Sequence, residues 1–409
     1  MPSALTFNLN GTKYNWDFWT TPQKHLDGRR IHQPRGKMLG GSSGLNAMAY
    51  IRGHALDYER WGTEGATGWS YASCLPYFKK AQRHMDGESE YCGGGGPLGV
   101  TRGWYDNELN EAFVKAGEEA GYAHTTDLNG YRQEGVGPMH MTVREDGVRA
   151  STSNCYLHTP VAGSPAGDVP INRPNLEVRP GCAVTRVILE DGPGVNGGDQ
   201  RCVGVEYVDE HGVTQELMAE REVILSLGAF GTPQCLMHSG IGDAAQLEQH
   251  GLSVKVHNEG VGANLQDHID TYIQYEANAP VGIYPYATWG EPWKPISAGL
   301  QWFTSGKGLC ASNHFEVGGF IRTRAGIPHP DLQFHFVPAC VVGQAEILTK
   351  HGYQTHCSTM RPLSRGAVTL SSADPHAAPL IDPNYFSHPQ DVEDSKFASN
   401  LPLLVIDGL

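Results

Sequence analysis

A glycine-rich stretch near the N-terminus carries the residues best suited to hold a ligand. It runs Arg35-Gly-Lys-Met-Leu-Gly-Gly-Ser-Ser-Gly-Leu-Asn46 and passes directly into Ala47-Met-Ala-Tyr-Ile51. Glycines let the backbone approach a flat or anionic ligand because no Cβ stands in the way. Successive backbone N–H groups in such a turn bind anions or carbonyl oxygens, above all where a helix follows. The stretch therefore predicts a ligand-binding loop and a helix that begins near Asn46.

Aromatic side chains are concentrated in a second segment. Aromatic faces hold quaternary ammonium groups by cation–π attraction, worth roughly 0.5–2 kcal/mol per ring. A site for a cationic substrate is one interpretation, and a covered lid or subunit interface is the other. Six of the 20 residues from 284 to 303 are aromatic, against 9% of the whole chain: Tyr284, Tyr286, Trp289, Trp293, Trp302 and Phe303.

Helices and strands are both expected around these segments. Apolar periodicity and turn residues predict helices at 69–82 and 108–120 and a hairpin with its turn at 209–212. The apolar run Arg221–Leu227 is typical of a buried strand in a parallel sheet. A helix should follow from Gly228, with Pro233 in its first turn and Gly240 at its end. His335 alternates with apolar residues on a further predicted strand, a pattern typical of a buried, hydrogen-bonded histidine.

Composition limits the classes of function. The chain has 409 residues and a net charge of −14, which disfavours a nucleic-acid partner and allows a cationic substrate. No apolar run is long enough to cross a bilayer. The nine cysteines contain no Cys-x-x-Cys pair, so neither a metal centre nor a disulfide framework is expected. Reduced thiols favour an intracellular location. The oligomeric state is left open.

Three motifs of this chain resemble those of the glucose–methanol–choline (GMC) family of flavin oxidoreductases. The stretch Arg35–Arg52 is similar to the family's first signature. Gly228-Ala-Phe-Gly-Thr-Pro-Gln-Cys-Leu-Met-His-Ser-Gly-Ile-Gly242 is similar to its second signature, and Gly262-Ala-Asn-Leu-Gln-Asp-His268 is also typical of the family. The residues after the first motif are most similar to those of choline-oxidising members. The order and spacing of the motifs are those of the family.

The resemblance implies an FAD-dependent oxidation of a primary alcohol, choline to betaine aldehyde, by hydride transfer to the flavin. It implies flavin contacts from Gly40, Gly41, Ser42 and Asn46, and a backbone contact to adenine from Val184. Some members attach the flavin covalently through a histidine in the first loop. Leu45 stands at that position here, so a non-covalent FAD is expected.

The resemblance also implies a substrate site. Glu316 occupies the position that binds the trimethylammonium group in choline-oxidising members, and Trp289 and Trp293 are the expected aromatic partners. The alternative is that Glu316 is a satisfied polar residue. His335 aligns with an active-site histidine and is expected to contact the alcohol oxygen in a secondary role.

The predicted fold class is α/β (α+β), a GMC-type FAD-binding domain with an antiparallel-sheet substrate-binding domain. The expected divisions are residues 1–272, 273–360 and 361–409. Two parts of the family pattern are not found: the dinucleotide fingerprint of a first βαβ unit, and the C-terminal segment with the main catalytic base. Pro402 should break the final helix. We therefore expect a fragment, and the alternative function is an inactive truncated product that at most binds flavin or a partner chain.

The remaining expectations concern the surroundings of the protein. A small-molecule alcohol is the expected substrate, and an electron acceptor such as a quinone the expected second partner. If the host is eukaryotic, the resemblance implies association with the mitochondrial inner membrane.

Overall fold

A computed structural model describes residues 1–4, 9, 11–103, 107–159, 169–170, 173–192, 200–288, 290–342, 346–347 and 350–406. The described residues form eight α-helices. They are α1 Ala55–Thr63, α2 Tyr71–Ala81, α3 Glu108–Glu119, α4 Gly228–His238, α5 Ala244–Gln249, α6 Tyr284–Ala287, α7 Trp293–Ser305 and α8 Pro389–Ile406.

Short and long strands lie between these helices. In chain order they are β1 Phe18–Trp19, β2 His32–Gln33, β3 Ala49–Tyr50, β4 Gln82–His84, β5 Leu98–Arg102, β6 Gly135–Pro138, β7 His140–Met141, β8 His158–Thr159, β9 Val169–Pro170, β10 Ala183–Asp191, β11 Gln200–Val208, β12 Thr214–Met218, β13 Ile241–Gly242, β14 Val256–His257, β15 Asp270–Glu276, β16 Val317–Ile321, β17 Leu332–Val337, β18 Val341–Val342, β19 Glu346–Ile347, β20 Gly352–Thr359, β21 Ala367–Thr369 and β22 Leu380–Asp382.

A five-stranded antiparallel sheet in the order β15-β20-β17-β16-β6 is the centre of the fold. Residues on one strand alternate between its two faces. The first face carries Leu332, Phe334 and Phe336, with Cys357 opposite Phe334 on β20. These side chains form the largest apolar cluster together with Leu109 and Phe113 of α3 and Ala398 of α8. Helices α3 and α8 therefore cover one face of the sheet.

The second face of the same sheet is polar. His335 lies opposite His356, and Gln333 lies opposite Ser358. Ser358 in turn lies opposite Asp270 on the edge strand β15. The alternation of apolar and polar residues along β17 thus separates a helix-covered core from a face that carries titratable groups.

The predicted hairpin is confirmed. Strands β10, β11 and β12 form an antiparallel sheet of their own, and β11 and β12 are joined across a turn in which Asp209 Oδ1 accepts from the backbone N–H of Val213 at 2.9 Å. The predicted helix at 108–120 is confirmed as α3, and Gly121 follows it with φ +90°. The helix predicted at 69–82 is confirmed as α2, with Pro76 in its interior. Within the described residues, no helix combines the length and apolar character that a membrane crossing requires.

Residues far apart in the chain join beside β22. Gln23 Nε2 donates to Asp382 Oδ1 at 2.9 Å, across 359 positions. The backbone N–H of Tyr385 donates to Gln23 Oε1 at 3.1 Å. Gln23 is 1% exposed, so both ends of its amide are used inside the protein.

The helix expected near Asn46 is wrong. Residues Gly41–Gly44 form a single 3-10 turn, Ala49–Tyr50 pair with β7, and the first α-helix begins only at Ala55. The reason lies in its cap: His54 Nδ1 accepts from the N–H of Leu56 at 3.2 Å, and Asp57 Oδ2 accepts from the N–H of His54 at 2.9 Å. These two bonds satisfy N–H groups that a helix start leaves open.

The buried strand expected at Arg221–Leu227 is also wrong. The segment forms no ladder with any described residue, and Ile224 is 77% exposed. A strand exists only where a neighbour pairs with its N–H and C=O groups, and apolar composition cannot supply that neighbour. The helix that follows is confirmed as α4, although Pro233 lies inside it. The predicted break at Pro402 is wrong as well, because α8 continues to Ile406.

Candidate functional site

Three sequence motifs that lie far apart in the chain meet in space. The Arg35 guanidinium stacks on the ring of Phe230 in α4, 4.4 Å from its centroid. Burial lowers the pKa of Arg35, and the nearby carboxylate of Asp267 opposes that shift. Gln33 Nε2 donates to Asp267 Oδ2 at 3.3 Å. The first glycine stretch, the glycine turn before α4 and the 262–268 loop therefore form one region.

The glycine loop is built so that only glycine fits at several positions. A Cβ on Gly36 would lie 2.2 Å from the carbonyl oxygen of Gly41, so the two backbone segments touch. Gly40 has φ +87°, and a Cβ there would lie 3.0 Å from the backbone nitrogen of Ser153. Gly41 has φ +53° with no atom within 4 Å of its Cβ position. The loop is packed on its inner side and open beside Gly41, where a planar ring can approach.

The side chain of Arg149 donates hydrogen bonds to this loop. Its Nη1 donates to the carbonyl oxygen of Asn46 at 2.7 Å, to Asn46 Oδ1 at 2.9 Å and to the carbonyl oxygen of Ser43 at 3.2 Å. Burial lowers the pKa of Arg149 to about 10, so the guanidinium stays charged at neutral pH. The sequence alone did not single out Arg149, because the residues it joins lie more than a hundred positions away.

Thr152 and Ser43 close the other end of the loop. The N–H of Thr152 donates to Ser43 Oγ at 2.9 Å, and Thr152 Oγ1 donates to the carbonyl oxygen of Gly40 at 3.2 Å. Ser43 Oγ itself donates to the carbonyl oxygen of Gly40 at 2.5 Å. Ser42 Oγ accepts from the N–H of Gly36 at 3.1 Å. The small polar run Ser151–Asn154, which begins two residues after Arg149, was the available signal for this contact.

A groove continues beside α4. It has a volume of about 470 Å³ and lies between the first half of the helix and the loop around Gly262. Gly262 has φ +79°, and a Cβ there would lie 2.2 Å from the carbonyl oxygen of Val368. The groove is lined mainly by small and apolar side chains, among them Ala229, Pro233 and Val261. The groove and the open side of Gly41 are thus two surfaces where backbone with small side chains is open to a ligand.

The loop also touches the segment that contains Glu316. Asn313 Nδ2 donates to the carbonyl oxygen of Ala47 at 2.7 Å. Ser312 Oγ donates to Glu316 Oε1 at 2.6 Å, and Asn110 Nδ2 donates to Glu316 Oε2 at 2.7 Å. Glu316 is 5% exposed. The buried, hydrogen-bonded carboxylate of Glu316 therefore lies three residues along the chain from Asn313, which contacts the residue after Asn46.

His335 lies on the polar face of the five-stranded sheet. Its ring meets the ring of Phe315 edge to face at 5.7 Å, and Phe315 also contacts His356 at 6.2 Å. His356 Nδ1 lies 2.5 Å from Asp270 Oδ2. Burial lowers the pKa of His335 to about 4, with Asp270 raising it and His356 lowering it further. His335 Nδ1 is buried and has no hydrogen-bond partner among the described residues.

The aromatic segment is divided by the structure rather than gathered. Trp302 is 5% exposed, and its Nε1 donates to the carbonyl oxygen of Gly147 at 2.7 Å. Trp293 and Phe303 of the same helix are 62% and 60% exposed. Trp289 lies outside the described residues. Trp293 therefore lies at the surface, whereas Glu316 lies in the interior.

Two further predicted positions are described. Leu45 is 3% exposed, so its side chain points into the protein. Val184 is 37% exposed on β10, opposite Tyr207 of β11. Its role in binding a cofactor stays a prediction.

Known proteins are similar to this chain in sequence. The chain is 47% identical over 395 residues to a mouse (Mus musculus) protein named "Choline dehydrogenase, mitochondrial", covering 96% of this chain and 62% of the relative. It is 46% identical to a Photobacterium profundum protein named "Oxygen-dependent choline dehydrogenase", covering 96% of this chain and 66% of the relative. The chain thus spans less than two thirds of the length of these relatives.

A solved structure shows the same fold. A variant of formate oxidase from Aspergillus oryzae, studied for its FAD modification, superposes with a TM-score of 0.85 at 25% sequence identity. The alignment covers 99% of this chain and 73% of that one. The predicted α/β class with an antiparallel sheet is confirmed.

Family assignment rests on two matches. Residues 10–270 match the N-terminal and residues 362–401 the C-terminal family model described as GMC oxidoreductase. The chain belongs to the GMC oxidoreductase family.

Proposed function

We propose that this chain binds FAD and carries the substrate-binding part of a flavoenzyme that oxidises choline to betaine aldehyde. One observation carries the proposal: Asn313 bonds to Ala47 at 2.7 Å, which sets the segment of Glu316 against the glycine loop. A cofactor site and an acidic site are thereby adjacent. The names of the mouse and Photobacterium relatives support choline as the substrate.

The cofactor contacts that we propose are Gly40, Gly41, Ser42 and Asn46, with Val184 at the adenine end. When bound, FAD supplies a two-electron acceptor for the hydride of the alcohol carbon. The loop's contribution is a glycine surface without Cβ atoms and the outward amide of Asn46. We propose that FAD is held without a covalent bond, since Leu45 has no nucleophilic atom.

Glu316 is the proposed partner of the substrate's positive charge. A quaternary ammonium group donates no hydrogen bond, so it needs only a nearby carboxylate and apolar or aromatic contacts. Ser312 and Asn110 occupy one lone pair on each oxygen of Glu316 and fix its orientation. Trp289 and Trp293 stay the aromatic partners proposed from the sequence, although Trp293 is 62% exposed and Trp289 lies outside the described residues.

His335 is the proposed contact of the alcohol oxygen. At neutral pH its imidazole is uncharged, because burial holds its pKa near 4. A neutral imidazole can donate or accept one hydrogen bond but is a weak base at this pKa. His335 therefore orients the hydroxyl group and is not the main base.

The test is to purify the chain with added FAD and to supply choline and a soluble quinone. Bound FAD with its visible absorbance, and saturable binding of choline, support the proposal. A chain that folds with native far-UV circular dichroism but binds no FAD at micromolar concentration refutes it. Glu316→Gln is the matched variant, which should bind FAD normally and choline poorly.

A second candidate function is an inactive product that at most binds flavin or a partner chain. The observation in its favour is the exposed apolar run at Arg221–Leu227, where Ile224 is 77% exposed. Apolar surface of this kind favours association. FAD and choline binding without any quinone reduction would support this candidate over turnover.

Three further assignments accompany the proposal. The electron acceptor is a quinone, and the location is intracellular, at the mitochondrial inner membrane in a eukaryotic host. The name of the mouse relative supports the mitochondrial assignment, whereas bacterial proteins are about equally similar. The three-part division at residues 272 and 360 also stands as a proposal.

A further inference from the structure

The side-chain amide of Asn46 has one defined orientation. Its Oδ1 accepts from the backbone N–H of Met48 at 3.2 Å and from Arg149 Nη1 at 2.9 Å. Both partners are donors, so the oxygen must face them and the NH₂ group must face away. Asn46 is exposed, and its Nδ2 has no hydrogen-bond partner among the described residues. The loop therefore presents a hydrogen-bond donor, not an acceptor, on its open side.

Arg149 brings a positive charge to the same loop. Its hydrogen-bond acceptors among the described residues are neutral: the carbonyl oxygens of Ser43 and Asn46 and the amide oxygen of Asn46. Within the described part of the chain, no carboxylate lies within 4.0 Å of the Arg149 guanidinium. Charges in a partly buried site are screened less than at the surface, so this cation acts on whatever occupies the loop.

We propose that Arg149 is a positioning residue that locks the Asn46 amide as a donor toward the flavin and favours the flavin's reduced form through its charge. The inference rests on the proposed FAD site. A flavin gains negative charge on reduction, and a nearby uncompensated cation stabilises that charge. Two separable effects follow: one depends on where the planar guanidinium holds Nη1, which donates all three bonds to the loop, and the other depends on charge alone.

Arg149→Gln and Arg149→Lys separate these effects. The measurements are the Kd of FAD, by flavin fluorescence, and the flavin midpoint potential, by equilibration with a reference dye. Arg149→Gln should weaken FAD binding about tenfold and lower the reduced-to-oxidised ratio at a fixed potential about tenfold. That ratio corresponds to about 30 mV for two electrons. Arg149→Lys should bind FAD weakly but keep a potential near that of the unmodified chain.

Asn46→Asp tests the orientation without removing Arg149. The aspartate still accepts from Met48 and Arg149, but it has no outward donor and it neutralises the cation. It should reproduce both losses of Arg149→Gln, and it does not disturb a buried side chain. Arg322→Gln is the control, because Arg322 pairs with Glu134 on a different surface and should leave both values unchanged.

The outcomes distinguish the inference from the proposed function. If the unmodified chain binds no FAD, the proposed function fails and the inference fails with it. If it binds FAD and the midpoint potentials of Arg149→Gln and Asn46→Asp equal that of Arg322→Gln, only the inference is overturned. If the variants bind FAD more weakly but keep the flavin midpoint potential of the unmodified chain, Arg149 has only a structural role.

Discussion

The two faces of the five-stranded sheet are made by the same strands and do different work. On β17, Leu332, Phe334 and Phe336 point toward α3 and α8 and are 0–4% exposed. The alternate residues Gln333 and His335 face Asp270, His356 and Ser358. Neighbouring residues of β17 point to opposite faces, so a shift of one residue in strand register would exchange the hydrophobic core with the row of titratable groups.

The two faces of the sheet differ in what they contribute: one to the stability of the fold and the other to binding. The apolar face gains free energy from buried area, and its few polar atoms include the hydroxyl of Thr355, buried opposite Phe336. The polar face carries titratable groups, and His335 Nδ1 there is buried with no hydrogen-bond partner among the described residues. Such atoms cost free energy, and they persist where a protein uses them to bind something. We therefore expect mutations on the first face to change folding and mutations near the second to change binding.

The largest expected effect is on the apolar face. Phe336→Ala should lower the free energy of unfolding by about 3–5 kcal/mol, because it removes a fully buried ring that stacks on Phe113 at 4.8 Å. Urea denaturation followed by circular dichroism measures this loss. A loss below about 1 kcal/mol would show that the helices do not depend on this face.

The next effect is the pH dependence of stability. Burial lowers the pKa of His314 and of His335 to about 4. An unfolded histidine titrates near 6.5, so below that pH the unfolded chain takes up protons that the folded chain does not. The free energy of unfolding should therefore fall as the pH falls from about 6.5 toward about 4. Between pH 7 and pH 5 the loss should be about 2 kcal/mol per histidine.

His335→Gln isolates one share of this effect. Urea titrations at pH 7 and pH 5 should show a smaller difference for the variant than for the unmodified chain. Parallel pH dependences would mean that His335 does not titrate differently in the folded and unfolded states.

Glu316→Gln, directly before β16, tests whether the polar side of the sheet changes binding rather than folding. It removes the charge but keeps the size of the side chain, so choline affinity should fall about 30-fold, or about 2 kcal/mol. Isothermal titration calorimetry measures the loss. The control ligand is an uncharged isosteric alcohol in which carbon replaces the ammonium nitrogen. Its affinity should hardly change, and an equal loss for both ligands would refute a role in charge recognition.

The smallest expected effect is on the edge strand. Asp270→Asn removes the carboxylate that raises the pKa of His335, so that pKa should fall further. The free energy of unfolding should change by about 1 kcal/mol or less, since Asp270 is partly exposed. NMR titration of the His335 ring protons is the measurement. A rise in the pKa of His335 would contradict the assignment.

Much of the fold could be predicted from local pattern. The helix α3 and the hairpin of β11 and β12 follow from periodicity and turn residues within a dozen positions. Arg221–Leu227 and the supposed helix near Asn46 could not be predicted in this way. A strand depends on a pairing neighbour, and a helix start depends on caps such as His54 and Asp57, which the apolar pattern does not reveal.

The candidate site shows the same limit. The glycine loop was visible because glycine itself is the signal. Arg149 was not, since it acts on Ser43 and Asn46 across more than a hundred positions, and no local pattern marks an arginine for that role. The aromatic segment could be found from the sequence, but the direction of each ring could not. In the structure Trp302 points into the protein and Trp293 points outward from the same helix.

The amide of Gln23, used at both ends by Asp382 and Tyr385, has a consequence for biosynthesis. A ribosome adds about 5–20 residues per second, so tens of seconds pass between the synthesis of Gln23 and that of its partners. During that interval Gln23 lacks its distant partners, Asp382 and Tyr385. Chaperone dependence during translation, and sensitivity of nascent chains to protease near residue 23, should therefore end abruptly once residue 385 has left the exit tunnel.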